Sequence, residues 1–331
     1  MQLFLLVCGC FLSKTPTERG CLETISVLMA TYNGEKFITE QIESLLCQTV
    51  QQFNIYINDD CSTDATWRIV AEYSERYPDK IRVTQSVKNT GSAKHNFMNM
   101  IQGICDDYVM LCDQDDVWKS DKIEKTLAKM HSMELEYGQD APLLVHTDLC
   151  VVDEFLNEIN PSFIRAMNAN YNRTSLNHAV IQNTVTGCTA MYNRALATLI
   201  VETPQRFVMH DWYLMLVTAA FGHIGYLSKP SILYRQHANN GVGAKDVRTF
   251  KYKMDRIVNR QGITKAINDT YSQAESFLYC FRDKLSCSQR VLLQEYCDIP
   301  NRTKLQRLKT IVKLGTFKNG ITRNIGHFLC I

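Results

Sequence analysis

A short apolar run, Tyr108–Cys112, is followed by three carboxylates within four residues, Asp113, Asp115 and Asp116. Apolar runs of this length are typical of a buried strand, so the acids are predicted where a strand leaves the core and enters a crevice. Carboxylates this close repel one another unless a cation joins them. Hard oxygen ligands at the mouth of an α/β sheet suit Mg²⁺ or Mn²⁺ on a diphosphate, which makes this stretch a candidate metal site.

Two other structures can produce such an acidic stretch. An Asp-rich loop after a strand is often only a polar turn, and the acids alone do not separate that turn from a metal site. A calcium loop of the EF-hand type also begins Asp-x-Asp and has an acid at its twelfth position, here Glu124. Its sixth position requires glycine, however, and Trp118 stands there, with no helix predicted before the loop. The EF-hand is therefore excluded.

Strand and helix patterns alternate through the first part of the chain. Predicted strands cover residues 25–31, 53–58, 81–86, 108–112, 143–146 and 231–235. Predicted helices cover residues 35–47, 92–104, 120–137 and 211–221, and another, which Ser62, Thr63 or Asp64 can cap, ends near residue 76. This alternation predicts an α/β fold with a mostly parallel, Rossmann-like sheet flanked by helices. After residue 146 the pattern is irregular, with an apolar segment at 185–192, and from about residue 245 it is helical and basic.

The composition limits the classes of partner. A formal charge of +2 over 331 residues gives no general case for nucleic-acid binding. The 13 cysteines contain no Cys-x-x-Cys pair, so neither a zinc site nor a disulfide framework is indicated and a reducing cytoplasm is expected. Residues 1–12 are apolar but too short to span a bilayer, and we interpret them as a disordered extension, with a weak signal or lipid anchor as the alternative.

A second pair of acids, Asp59 and Asp60, follows the predicted strand at 53–58. The carboxyl ends of parallel strands meet at one edge of a sheet, where ligands bind in open α/β folds. One group of acids can accept hydrogen bonds from a base and ribose while the other holds a metal on the phosphates. No glycine-rich loop of the dinucleotide-binding or P-loop type is present, so dehydrogenase and P-loop functions are excluded. The two groups together indicate a nucleotide ligand.

Ordered motifs at residues 26–34 (SVLMATYNG), 58–64 (NDDCSTD) and 113–116 (DQDD) resemble those of the family 2 glycosyltransferases, which have a GT-A fold. Later motifs at 183–188 (NTVTGC), 210–212 (HDW) and 234–237 (YRQH) are similar to the bacterial rhamnosyltransferase-like branch that builds surface polysaccharides. The resemblance covers about residues 25–241. One departure is Cys61, which stands where the family usually has glycine.

The resemblance implies an inverting, metal-dependent transfer of a sugar such as rhamnose. The donor would be a nucleotide-diphosphate sugar, the acceptor a saccharide or lipid-linked glycan, and the cofactor Mg or Mn. The chain then divides into an N-terminal extension at 1–22, a nucleotide-sugar-binding half at 23–120, an acceptor and catalytic half at 121–244 and a basic helical C-terminal region at 245–331.

Matching positions assign roles to individual residues. The donor is expected on Thr31, Tyr32, Asn33, Asp59, Asp60, Asp113 and Asp115, and the metal on Asp115 and Asp116, although spacing does not decide which of the three clustered acids binds it directly. Arg235 is added to the donor residues and His237 to the metal ligands because they end a predicted strand near the site. Asp211 matches the general base. A carboxylate at a helix start can instead be only an N-cap, and the helix dipole lowers its pKa, so burial or neighbouring acids must offset that effect in a base.

Several further side chains have both a structural and a functional interpretation. His237 can be structural instead of a metal ligand, and Arg235 can bind phosphate. Lys94 and His95 can approach phosphate or form a solvated helix turn. Three aromatic residues can stack on a sugar face or fill the core, namely Trp118, Trp212 and Tyr213.

The end of the chain is basic. No acidic side chain follows Asp298, whereas seven basic ones do, namely Arg302, Lys304, Arg307, Lys309, Lys313, Lys318 and Arg323. They are interleaved with Leu305, Leu308, Ile311, Val312 and Leu314. This pattern suits helices that lie on an anionic membrane surface, and equally a solvated face packed on the catalytic domain. We expect a cytoplasmic protein, peripheral on the inner face of the cytoplasmic membrane, without a spanning helix.

Two other functions share some of these features. A nucleotidyltransferase also uses a metal at a nucleotide-binding α/β sheet, but its glycine-rich, arginine-containing signature near the first strand is missing. The second alternative is a non-catalytic protein that binds a sugar nucleotide or carbohydrate. Asp211 discriminates, because a binding protein needs the metal acids but no base.

Overall fold

Strands and helices alternate along the first half of the chain, as the sequence predicts. The computed structural model describes residues 23–200, 205–237 and 260–331, so the expected extension at 1–22 and residues 245–259 of the expected C-terminal region lie outside the described residues. The strands are β1 (Ile25–Thr31), β2 (Asn54–Asp59), β3 (Ile81–Gln85), β4 (Tyr108–Cys112), β5 (Val117–Trp118), β6 (Leu143–Thr147), β7 (Cys150–Val152), β8 (Glu158–Asn160), β9 (Met191–Asn193), β10 (His223–Leu227) and β11 (Ile232–Arg235). The helices are α1 (Ile38–Leu46), α2 (Thr66–Arg76), α3 (Ala93–Gly103), α4 (Lys122–Tyr137), α5 (Phe163–Ala166), α6 (Leu176–Ala179), α7 (Arg194–Leu199), α8 (His210–Phe221), α9 (Arg260–Phe281), α10 (Cys287–Cys297), α11 (Lys304–Leu314) and α12 (Ile321–Cys330).

The main sheet of the described chain has seven strands in the order β10-β6-β9-β4-β1-β2-β3. Neighbouring strands run parallel except β9, which is antiparallel to both β4 and β6. β1 and β4 are buried along their whole length, as expected of parallel strands covered on both faces. Thr31 lies beside Asp59 and Met29 beside Cys112, so the strand ends that carry the acids meet at one edge. The predicted α/β fold with a mostly parallel sheet is confirmed.

Some elements differ from the prediction. β10 is not predicted, because Gly225 interrupts its apolar pattern and several of its residues are only half-buried. A second sheet has the order β5-β11-β7-β8, and only β11 is predicted. The others have two or three residues, too few for a periodic pattern. The apolar segment at 185–192 forms one 3-10 turn, Gly187–Thr189, and the start of β9.

Two helices begin later than predicted, since loops at the carboxyl edge of the sheet precede them. α1 begins at Ile38, because the Gly34 carbonyl accepts hydrogen bonds from the N–H groups of Phe37 and Ile38 in a turn. α2 begins at Thr66, whose N–H donates to Asp64 Oδ1 at 3.0 Å. Both loops therefore remain at the edge where the acids meet.

The helices from α9 onward pack on the main sheet's helical layer. Tyr271, Ala274 and Phe277 recur at helical spacing on α9 and share one apolar core with Leu214 of α8. The predicted helical character of the C-terminal region is confirmed for its described part. Within the described ranges, no helix is long and apolar enough to cross a membrane.

Candidate active site

A cavity of about 740 Å³ opens at the carboxyl edge of β1, β2 and β4. Six of the predicted site residues line it, namely Thr31, Tyr32, Asp60, Asp113, Asp115 and Asp211. The remaining wall includes Phe163 of α5, the segment at 182–187, Tyr234 of β11 and Arg323 of α12. Residues 183–187 and Tyr234 belong to the later family-like motifs, but the sequence gives them no individual role, and Phe163 and Arg323 belong to no motif.

Asp113 and Asp115 face the cavity, whereas Asp116 lies fully buried. Asp116 Oδ1 accepts the Arg235 N–H at 3.1 Å, and its Oδ2 has no hydrogen-bond partner in the described part of the chain. Burial, with the charges of Asp115 and Asp211, raises the pKa of Asp113 to about 7. Burial and the charges of Asp115 and Asp113 also raise the pKa of Asp116 well above its usual range. A nearby cation would relieve this repulsion.

The Cys188 thiol is a neighbour of these acids that sequence reasoning did not assign. Ligand atoms of Asp113, Asp116 and Cys188 all lie within 4.8 Å of one another. Burial raises the pKa of the Cys188 thiol well above its ordinary value, so the sulfur is neutral at pH 7. The carboxylates of Asp113 and Asp116 form a donor set that fits a divalent cation, since Asp116 Oδ2 is buried without a hydrogen-bond partner in the described part of the chain. In the sequence, the position of Cys188 after Gly187 in the 183–188 motif is the feature that could have pointed to a place in the site.

Arg235 and His237 lie behind the acids and do not line the cavity. The buried Arg235 guanidinium donates from Nε to the Asp115 carbonyl at 2.9 Å and pairs with Glu40. His237 Nε2 lies 2.8 Å from Asp115 Oδ2, and its ring packs on Phe37 with a centroid distance of 4.8 Å. Both side chains thus hold the acidic loop in place from its protein side.

The acids after β2 divide into one that faces the cavity and one that does not. Asp60 lines the cavity, and its carboxylate accepts the N–H and hydroxyl of Thr90 at 2.9 Å and 2.7 Å. Asp59 is fully buried and accepts from Thr31 Oγ1 at 3.2 Å, from the Ser62 N–H at 2.9 Å and from Gln85 Nε2 at 3.0 Å. Asp59 therefore fixes the loop, and its oxygens are already occupied by protein donors.

Two residues of these loops have left-handed backbone. Cys61 has φ +61°, a conformation that glycine adopts without steric cost, which fits the glycine that the family resemblance leads us to expect there. Its Sγ contacts the Ser86 carbonyl at 3.0 Å. Asn33 has φ +49°, and its Oδ1 accepts the Thr63 N–H at 2.8 Å, so Asn33 links the first two motifs without lining the cavity.

Asp211 is the second residue of α8, and Met209 occupies the N-cap position, so Asp211 does not cap its helix. Its Oδ2 accepts the Gly187 N–H at 3.1 Å and its Oδ1 the Trp212 N–H at 2.6 Å. Burial raises the pKa of Asp211 to about 6, although the hydrogen bonds from Trp212, Gly187 and the Asn183 side chain oppose the rise. Burial thus outweighs these hydrogen bonds, and the carboxylate can accept a proton near neutral pH.

The five remaining candidate side chains do not line the cavity. Trp118 and Tyr213 are buried in the core, and the half-buried Trp212 donates from Nε1 to the Ala179 carbonyl at 2.6 Å. Lys94 Nζ donates to the Phe207 carbonyl at 2.9 Å, and neither Lys94 nor His95 lines the cavity. The aromatic side chains that do line it include Tyr32, Phe97, Phe163 and Tyr234.

Known proteins share these motifs and this fold. Residues 26–139 match the family model described as glycosyl transferase family 2. The chain is 30% identical over 257 residues to the dTDP-rhamnosyl transferase RfbG of Shigella flexneri. The aligned region covers 72% of this chain and 83% of that protein. It is also 30% identical over 230 residues to the putative teichuronic acid biosynthesis glycosyltransferase TuaG of Bacillus subtilis (strain 168), covering 69% and 84%.

A solved structure has the same fold. The crystal structure of S. aureus TarS 1-349 in complex with UDP-GlcNAc superimposes with a TM-score of 0.51 at 16% sequence identity and covers 89% of this chain and 93% of that one. The predicted family and fold are therefore both confirmed. With the paired acids at the edge of a GT-A sheet and these relatives along most of its length, the chain belongs to glycosyl transferase family 2 and is a glycosyltransferase.

Proposed function

We propose that this glycosyltransferase moves a sugar from a nucleotide-diphosphate donor to a saccharide or lipid-linked glycan, with inversion and with a divalent metal, in the assembly of surface polysaccharide. The observation that carries the proposal is the placement of Asp113, Asp115 and Asp211 on one cavity. Metal-assisted departure of a diphosphate and removal of an acceptor proton need acids in different environments. Here Asp113 and Asp115 belong to a repelling cluster, and Asp211, half-buried at the start of α8, is the proposed base.

The donor nucleotide is proposed to lie along Thr31, Tyr32 and Asp60, which line the cavity beside the acids. Asn33 and Asp59 would act on the donor only by holding these loops, because their polar groups bond to protein. The relative from Shigella flexneri is a dTDP-rhamnosyl transferase, and at 30% identity it makes dTDP-rhamnose the first donor to test.

The acidic cluster is the proposed metal site, and Mg²⁺ or Mn²⁺ suits its oxygen ligands. Asp113 and Asp115 would hold the cation from the cavity side, and Asp116, whose buried Oδ2 has no partner in the described part of the chain, would complete the donor set beside Cys188. A divalent cation bound there supplies Lewis-acid stabilisation of the departing diphosphate. The contact between His237 Nε2 and Asp115 Oδ2 supports a role for His237 in orienting the Asp115 carboxylate, as partners of metal ligands commonly do.

Asp211 is proposed to take the proton of the acceptor hydroxyl. The acceptor oxygen then bonds to the anomeric carbon while the bond from that carbon to the diphosphate oxygen breaks and the nucleoside diphosphate leaves. Because the oxygen attacks from the face opposite the leaving group, a single displacement inverts the anomeric centre. The N–H groups of Gly187 and Trp212 hold the Asp211 carboxylate in place before the proton arrives.

Family membership argues against the two alternatives raised by the sequence. A nucleotidyltransferase would release pyrophosphate and join the nucleotide to its product, whereas a glycosyltransferase releases the nucleoside diphosphate. A binding protein would release neither.

The proposal is tested by measuring nucleoside diphosphate release from dTDP-, UDP- and GDP-sugars with Mg²⁺ or Mn²⁺ and a panel of soluble and lipid-linked saccharides. We expect acceptor-dependent turnover of one donor, and product NMR should show the anomeric configuration opposite to that of the donor. Retained configuration would contradict the single displacement. Donor binding without turnover on every acceptor would favour a non-catalytic role.

Asn183→Ala is expected to move the acid limb of the pH–rate profile by about one unit toward higher pH. The Asn183 side chain stabilises the charged form of Asp211, so its loss raises the pKa of Asp211 above about 6 and leaves less base at a given acidic pH. The measurement is kcat from pH 5 upward. Asn172→Ala, at an exposed position, is the control and should leave the limb unchanged. If the acid limb of Asn183→Ala lies at the same pH as that of the wild type, Asn183 does not position Asp211.

A further inference from the structure

Arg323 is the one lysine or arginine among the described residues that line the catalytic cavity. It is 6% exposed. Its guanidinium donates to three backbone carbonyls, those of Met167 at 2.6 Å, Asn319 at 3.1 Å and Asn168 at 3.4 Å, and to no carboxylate in the described part of the chain. A buried charge is costly when no counter-charge meets it, so the cavity favours an anion beside this guanidinium.

Two side chains of this wall keep hydrogen-bond donors for a ligand. The carbonyls accept from Nη1 and Nη2 of Arg323, and its Nε–H has no partner among the described residues. Gln182, also in the cavity wall, accepts the Asn319 N–H at 2.6 Å with its Oε1. Because that N–H requires the carbonyl end of the Gln182 amide, the Nε2 end is the one left without a partner in the residues described. Asn319 thus positions both donors, since its carbonyl holds Arg323 and its N–H holds Gln182.

Arg323 and Gln182 adjoin the part of the cavity that contains the proposed base. Residues 182–187 form a continuous stretch of the wall, and at its end the Gly187 N–H donates to Asp211 at 3.1 Å. An acceptor whose hydroxyl meets Asp211 therefore passes along this stretch. The other charged side chains among the described lining residues are acids, namely Asp60, Asp113, Asp115 and Asp211. They repel an anion, so the Arg323 end of the wall is where a negative group is stabilised.

A second arginine joins the same two segments without entering the cavity. Arg173 donates to the Lys318 carbonyl at 3.4 Å and to the Phe317 carbonyl, and it does not line the cavity. An arginine that only ties the C-terminal helices to the segment at 167–182 can therefore lie outside the cavity. The place of Arg323 inside it is what indicates a ligand.

The sequence groups Arg323 with basic side chains that face a membrane or solvent. That prediction is wrong for Arg323, because its side chain is buried toward the cavity. The apolar residues predicted with it are corrected in part too, because Ile311 is buried and Leu314 packs against the core. Helix α12 thus contributes to the catalytic cavity.

We propose that Arg323 and Gln182 form an anion subsite for the acceptor, which therefore carries a phosphate or carboxylate group. A guanidinium binds either oxyanion through charge-assisted hydrogen bonds, and the Gln182 amide adds a neutral donor. The two groups have different sources, because a phosphate belongs to a lipid carrier or a phosphodiester glycan and a carboxylate to an acidic sugar. This inference rests on the proposed function only in taking Asp211 as the base that the acceptor approaches.

The test measures the binding of three small probes to the full chain in EDTA, which prevents a metal from holding phosphate at the acidic cluster. The probes share a glucose ring: methyl α-glucoside is neutral, methyl α-glucuronide carries a carboxylate, and glucose 1-phosphate carries a phosphate. In titrations by ligand-detected NMR, we expect an anionic probe to bind about tenfold or more tightly than the neutral one, the range for hydrogen bonds to a charged group. Preference for the phosphate probe alone would identify a phosphorylated acceptor, and preference for the carboxylate probe alone an acidic sugar.

Two variants remove the subsite in different ways. Arg323→Gln should abolish the preference, because it removes the charge. Gln182→Glu should also abolish it, because the new carboxylate repels the probe and pairs with Arg323. Its oxygen still accepts the Asn319 N–H, so this variant keeps the test independent of how well Arg323→Gln folds. The matched control is Arg173→Gln, which should retain the preference.

Equal binding of the three probes by the wild type, or a preference that Arg323→Gln retains, would overturn the proposal. A preference lost equally in Arg173→Gln would also overturn it, because the effect would then come from the packing of the wall. Probe binding needs neither donor, metal nor turnover. Failure of sugar transfer on every acceptor would therefore count against the proposed function and leave the probe measurement valid.

Discussion

Asp211→Asn is expected to lower kcat for sugar transfer by about 10³-fold, which is within the range for loss of a positioned general base. The amide has nearly the shape of the carboxylate but cannot take the acceptor proton. Asp211 accepts hydrogen bonds from Gly187 and Trp212 at the start of α8, whereas the nucleotide-side residues Thr31 and Asp60 stand at the ends of β1 and β2. Donor affinity, measured by calorimetry, should therefore change by less than about twofold while turnover collapses.

The pH dependence sharpens this prediction. A base works only when ionised, and the pKa of Asp211 is about 6, so the wild-type rate should reach a plateau above that pH and fall about tenfold per unit below it. The residual activity of Asp211→Asn should lack this limb. Asp79→Asn, at an exposed acid far from the cavity, is the control and should match the wild type in both rate and profile. Turnover by Asp211→Asn at more than about a tenth of the wild-type rate would eliminate Asp211 as the base.

Asp115→Ala is expected to abolish metal-dependent donor binding and to lower turnover by about 10³-fold, because stabilisation of the diphosphate by a bound cation is worth several kcal/mol. EDTA should inactivate the wild type to the same level, with recovery on addition of Mn²⁺ or Mg²⁺. Mn²⁺ binding followed by electron paramagnetic resonance gives a readout that does not depend on catalysis.

A second variant, His237→Ala, distinguishes the residue proposed to bind the metal, Asp115, from the residue proposed to orient it, His237. His237→Ala should weaken metal affinity by about 10- to 100-fold and be rescued by excess metal, as expected for loss of an outer partner. Asp140→Ala, an exposed acid after α4, should leave metal binding intact. Full activity of the wild type in EDTA, or unchanged Mn²⁺ binding in Asp115→Ala, would show that the acidic cluster serves another purpose.

The sequence predicts well which acids meet at one edge of the sheet, because that placement is encoded locally. Each acidic motif follows a buried strand, and parallel strands deliver such ends to one edge. The sequence does not show which of Asp59 and Asp60 faces the cavity. That depends on the loop conformation around Asp59, which hydrogen bonds from Ser62 and Gln85 fix. Cys188 was also beyond its reach. Its contact with Asp113 spans 75 positions and depends on the pairing of β9, the strand that follows Cys188, whose short apolar pattern reveals neither direction nor neighbours.

The reversed direction of β9 has a consequence for how acceptor preference can diversify. Strands β1, β2 and β4 form the donor side with the loops that leave them, whereas β9 runs the other way and brings the loop that enters it, residues 182–187, to the same edge. In the proposed reaction, the donor and the acceptor would thus be bound by chain segments at opposite ends of their strands. Insertions or substitutions before β9 can reshape the pocket for a new glycan while the nucleotide-binding loops keep their register, so that one donor is paired with many acceptors among descendants of this fold.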